Sequence, residues 1–192
     1  MIKYFKNNLS HISKLFINHV GMMIFSLLVL ITSWLLAKKN NAPIIFYIMG
    51  AVAILMYFSL IYTAMWERGA KDKIKIDGGR LEYSPWHGLD MYLIANSLAI
   101  VAGVVAFILS FFESVPFLYN VYTVFMFIAH WWGAMYLPVT TIEMSPLWVH
   151  TLLYIAIILP GALVSTVSYI LGAKGFKCIF PEPKHDKNKK YR

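Results

Sequence analysis

Four stretches of the chain, residues 20–37, 43–66, 91–112 and 147–172, contain no Asp, Glu, Lys or Arg. Each is long and apolar enough to cross a bilayer core of ~30 Å as a helix. Ahead of the first, residues 1–19 place Ile2, Phe5, Leu9, Ile12 and Phe16 at alternating three- and four-residue spacing. Lys3, Asn7, His11, Lys14 and Asn18 fall on the other faces, so the pattern predicts an amphipathic helix lying in the membrane plane. Leu35, Leu36 and Ala37 ahead of Lys38 offer no small-x-small cleavage site, and the first span reads as an uncleaved anchor. A fifth apolar run, from about Val115 to Leu137, lies within 114–146 and is bounded by prolines, with Tyr119, Tyr122, His130, Trp131, Trp132 and Tyr136 along it. That is interfacial aromatic chemistry as much as it is a span.

Composition points the same way. The 192 residues are 59% hydrophobic and only 14% charged, where a soluble domain carries roughly a quarter charged. Soluble enzymes, disordered tails and disulfide scaffolds are excluded, the last because Cys178 stands alone. The net charge of +8 reads as loop charge beside membrane spans rather than as a nucleic-acid surface.

Charge also bears on the number of spans. If 114–146 crosses, there are five spans, and the 17 Lys and Arg divide 8 to 9 between the two sides. If it dips and returns, or lies in the outer interface, four spans remain and 15 of the 17 fall on the side of both termini. The second arrangement obeys the positive-inside rule. The expected fold is therefore an all-α integral membrane protein with four transmembrane helices plus an interfacial or re-entrant segment. Five spans is the alternative. The whole of 1–192 reads as one membrane domain in the cell membrane, multi-pass, with cytoplasmic termini and a basic tail at 173–192. Arg68-Gly69-Ala70-Lys71 and Leu171-Gly172-Ala173-Lys174 echo each other, and both read as a glycine helix stop followed by an interfacial lysine.

The polar segment 67–90 is expected to be a basic cytoplasmic loop. Within residues 73–83 apolar positions alternate on either side of Gly78-Gly79, the pattern of a β-hairpin that pairs Ile76 with Leu81 and Asp77 with Arg80. An irregular charged loop fits the same composition. Gly69-Ala70-Lys71-Asp72-Lys73, Gly79, Glu82-Tyr83 and Gly88-Leu89, with Tyr169 to Gly175 ending the last span, carry a resemblance. In these positions the chain resembles a family of small uncharacterised polytopic membrane proteins of Gram-positive bacteria. It departs from that pattern at Ile74, Gly78, Pro85 and His87. The resemblance implies an integral membrane protein and no activity.

No His-Glu-x-x-His, Gly-x-Ser-x-Gly or Walker A motif occurs, so no catalytic residue, metal site or cofactor is expected. A membrane-embedded hydrolase or metalloenzyme is the least favoured reading. Ionisable groups near membrane depth, His130, Glu143 and His150, with the Pro160-Gly161 kink, are the candidates for a ligand or proton-relay site. The bland reading of each histidine is an interfacial ring hydrogen-bonded among aromatics. Ala162, Ser165 and Ser168 give the last span a small-residue face suited to close packing. Arg68, Lys71, Lys73, Lys75 and Arg80 are the candidates for a partner or lipid face. Two function classes follow. One is a non-enzymatic membrane subunit or accessory protein whose basic cytoplasmic face meets anionic headgroups, a membrane-protein partner or a second copy. The other is a small-solute binding or transport module with a pocket between the spans.

Overall fold

Two long helices make up the first part of the chain: α1 (Ile2–Lys39) and α2 (Ile44–Asp77). A computed structural model describes residues 2–141 and 146–177, with side chains from Asn8 onward. The separate in-plane helix expected over 1–19 is not a separate element. No proline lies between it and the first span, and Gly21 meets nothing that would bend the chain, so 38 residues run on as one helix about 57 Å long. Its buried stripe is also not the expected one. Asn8, Ile12, Leu15, His19, Met22, Ser26, Leu30 and Ser33 face the protein, while Leu9 and Phe16 are 46% and 43% exposed.

The chain turns at Asn41, which takes a left-handed φ of 49°, and at Pro43. Helix α2 then runs through the residues expected to form a hairpin and stops at Gly78, whose N–H bonds to the Ile74 carbonyl. Gly79 follows with φ 66°. No strand occurs among the described residues. The Lys-Ile-Lys-Ile-Asp alternation gives way because Asp72 is fully buried and finds Arg68 at 2.8 Å and Lys75 at 3.4 Å, four residues before and three after. In a strand, Arg68 and Asp72 would stand roughly 13 Å apart.

The third predicted span is bent. Helices α3 (His87–Ala95) and α4 (Ser97–Leu109, extended by a 3-10 turn to Phe112) meet at 68° around Asn96. Asn96 fits a bend because its side chain serves other groups: Nδ2 donates to the Tyr92 carbonyl at 2.9 Å, and Oδ1 accepts from the Trp132 indole at 3.0 Å. Next come α5 (Pro116–Trp132), a 3-10 turn over Ala134–Tyr136, and the single-turn α6 (Leu137–Thr140). The last stretch is α7 (Leu147–Ala156) and α8 (Ile158–Ala173), parted at Ile157. Pro160 explains the parting, since it has no N–H to offer the Ala156 carbonyl.

Contacts fix the directions. Helix α3 runs antiparallel to α2, with His87 at Asp72 and Tyr92 at Tyr57, and antiparallel to α8, with Gly88 at Ser165 and Tyr92 at Gly161. Helices α2 and α8 therefore run the same way. Where they cross, a Cβ on Gly69 would stand 2.2 Å from the Tyr169 carbonyl oxygen, and one on Gly172 would stand 2.2 Å from that of Trp66. The echoed Gly-Ala pairs are thus the two sides of one contact. Gly69 is no helix stop: α2 continues eight residues past it. Ala162, Ser165 and Ser168 are buried on the packed face of α8, as their spacing predicts.

Residues 116–141 make an excursion. Helix α5 descends beside α4 until Trp132 reaches Asn96 and His19. The chain then climbs back past Tyr57, which Tyr136 meets edge-on, to Gly50, where Pro138 packs. It leaves and returns at the same end of the bundle. Outside, the protein is apolar: Leu28, Leu55, Ile108, Phe127 and Leu163 are all more than half exposed. Inside, Asn8, His19, Ser26, Arg68, Asp72, Asn96, Thr151, Ser165 and Ser168 are buried. Three helices, Asn8–Lys39, Ile44–Asp77 and Leu147–Ala173, are long and apolar enough to cross a membrane, or four if the bent pair is one span. This is compatible with a membrane location.

Candidate functional site

Three polar groupings lie on or inside the bundle. The first is at the end where α1 and α3 begin and α2 and α8 end. Of the residues expected to form a basic face, Lys71, Lys75 and Arg80 are exposed and Lys73 is half-buried. Arg68 is a correction. It is 7% exposed, its Nη2 donates to Asn8 Oδ1 at 2.8 Å and its Nε lies 2.8 Å from Asp72, so it is a packing cation and not a docking one. The Nε contact is an ion pair without hydrogen-bond alignment. Tyr169 donates to the same carboxylate at 3.4 Å and His87 stands 3.8 Å away, so Asp72 ties α2, α3 and α8 together and Arg68 adds α1. At the rim, Lys14 and Lys71 both hold Glu67 at 2.7 Å, and Lys174 and Lys177, which follow α8, are exposed.

The second grouping gathers His130 from α5 and His150 from α7, their rings 6.3 Å apart with Tyr154 against both. Hydrogen-bond geometry sets the protons. Carbonyls only accept, so His130 Nδ1 donates to the Met126 carbonyl at 2.8 Å and His150 Nε2 donates to the Thr140 carbonyl at 2.9 Å. Tyr154 then donates its one proton to His130 Nε2 and has none left for Thr140, 3.3 Å away. Both rings border an open groove of about 480 Å³ walled by Leu27, Met126, Phe127 and Trp131. Of the four candidates for a ligand or proton-relay site, His130 and His150 are brought together. Pro160 is exposed on α8 and lines no part of this groove, because it sits a turn beyond the helix break, and Glu143 lies outside the described residues. Among the described residues no cluster of His, Cys, Asp and Glu is arranged to hold a metal.

The third grouping was not singled out by its sequence. His19 lies at mid-bundle with Nδ1 2.8 Å from the Tyr57 hydroxyl and Nε2 2.9 Å from the Trp132 carbonyl, its ring stacked on the Trp132 indole. Tyr57 in turn meets Tyr92 at 3.4 Å. The signal available was a histidine immediately ahead of the first apolar run, but nothing local names partners 38 and 113 residues away. No protein-family model, curated protein or solved structure matches this chain. The resemblance in the 69–89 and 169–175 segments rests on those motifs alone.

Proposed function

We propose that the chain is a non-enzymatic, four-span membrane subunit or accessory protein, with both termini cytoplasmic and residues 116–141 re-entrant from the outer side. One observation carries this reading: an apolar exterior over most of the bundle gives way at one end to exposed Lys71, Lys75, Arg80, Lys174 and Lys177, against Lys38 and Lys39 at the other end among the described residues. In water such an exterior would be a very large apolar patch, and in lipid it is the ordinary solvent-facing surface. Cations ringed at one end then lie at headgroup level, where each Lys or Arg gains about 1 kcal/mol from an anionic leaflet. The same ring serves an acidic membrane partner or a second copy. The parallel course of α2 and α8 supports an even number of crossings, as does the return of 116–141 to the end it left.

Anionic lipid is therefore expected to stabilise the protein. In detergent micelles doped with phosphatidylglycerol, the melting temperature should rise above that with phosphatidylcholine. The variant carrying Lys71→Gln, Lys73→Gln, Lys75→Gln and Arg80→Gln should lose most of that difference. An undiminished response in this variant would remove the basic face from the account.

A further inference from the structure

At mid-bundle, donors and acceptors can be counted one by one. A cavity of about 20 Å³ lies among His19, Tyr57, Tyr92, Asn96, Trp132 and Tyr136. That is room for one water and for nothing larger. His19 Nε2 faces the Trp132 carbonyl, so it carries the ring proton and Nδ1 is left to accept. The Tyr57 hydroxyl therefore donates to Nδ1, and its oxygen can accept from Tyr92. Every proton in this row is committed toward Trp132. Tyr92 ends the row with an oxygen that still has acceptor capacity.

Tyr136 closes the cavity on the far side. It is 7% exposed, and among the described residues its hydroxyl has no hydrogen-bond partner. A buried hydroxyl without a partner is costly, and native proteins seldom keep one. We infer that the cavity is a binding site for a single ordered water, which donates to Tyr92 Oη and accepts from the Tyr136 hydroxyl. The water joins the 3-10 turn after α5 to the row that ends at the Trp132 carbonyl, giving one continuous hydrogen-bonded chain through α1, α2, α3 and the re-entrant segment. Donor and acceptor demand selects the guest. An ammonium ion could donate to Tyr92 but could not accept from Tyr136, and an apolar group would satisfy neither.

Phenylalanine keeps the ring of Tyr136 and removes only the hydroxyl, which makes the test direct. With the water in place, Tyr136→Phe takes away one of its partners and should lower the melting temperature of the purified protein by about 2–4 °C. The loss should be non-additive with that of Tyr92→Phe, because both variants disrupt the same water. A melting temperature unchanged or raised by Tyr136→Phe would overturn the site, since removing a hydroxyl that bonds to nothing costs nothing. Strict additivity of the two variants would also overturn it. A high-resolution structure should show density for one water between Tyr92 and Tyr136.

Discussion

Alanine at Gly172 is expected to destabilise the protein by about 2–3 kcal/mol, the upper part of the usual range for overpacking, and valine there should leave no folded protein. The added carbon would stand 2.2 Å from the Trp66 carbonyl oxygen and 2.9 Å from the Ala70 nitrogen, both backbone atoms of α2. A side chain in the way could rotate, but a backbone cannot without parting the helices. Gly69 faces α8 in the same manner, with the Tyr169 oxygen at 2.2 Å and the Ala173 nitrogen at 2.7 Å, so Gly69→Ala should cost as much. If the bundle lies in lipid, as proposed, burial of apolar surface drives helix association little, and such close backbone approach gains in weight. Gly21 is the internal control. A Cβ there meets nothing within 4 Å, and Gly21→Ala should be neutral or stabilising by up to ~1 kcal/mol through helix propensity. Thermal melts of the three alanine variants in one detergent check the ordering.

Asp72→Ala is expected to have an effect of similar or greater size, ~3–5 kcal/mol. The carboxylate is fully buried and is the counter-charge to Arg68, whose side chain is 9% exposed. Removing it strands a guanidinium that keeps its bond to Asn8, and deprives Tyr169 and Lys75 of their acceptor. The cost lies mostly in the orphaned cation rather than in the lost attraction. Replacing both charges, Arg68→Met with Asp72→Leu, should therefore recover much of the loss. The exposed pair gives the contrast: Lys14 and Glu67 are as close, 2.7 Å, but 49% and 41% exposed. Glu67→Gln should cost no more than ~1 kcal/mol. If Asp72→Ala and Glu67→Gln melt alike, burial is not what makes the Asp72 cluster matter.

The apolar runs were legible because a long helix apolar on its exposed as well as its packed side needs no period: an unbroken stretch without charge is signal enough. What failed were faces and junctions. Residues 2–16 carry a clean amphipathic pattern, yet α1 buries Asn8 and His19 and exposes Leu9 and Phe16, since the polar side chains find partners on α2 and α5. Lys73 to Asp77 fits both a strand and a helix, and only the demand of buried Asp72 for Arg68 and Lys75 decides between them. The two Gly-Ala echoes were visible as a repeat but not as a contact, because nothing local reveals that α2 and α8 lie side by side. The pairing of His130 with His150 follows from the return of 116–141 beside α7. The His19 row depends on groups from four elements, and no window of sequence holds them.

Topology is the claim on which the rest depends, and Cys178, the lone thiol, reports on it without any substitution. It follows Lys177, just past the end of α8. Bacterial cells expressing the protein would be treated with a membrane-impermeant maleimide, intact or permeabilised. Four spans with a re-entrant 116–141 and cytoplasmic termini predict labelling only after permeabilisation, with the same behaviour for a thiol placed by Arg80→Cys in a Cys178→Ser background. Labelling of Cys178 in intact cells, with position 80 protected, would mean that the chain crosses five times and that its basic residues do not gather on one side.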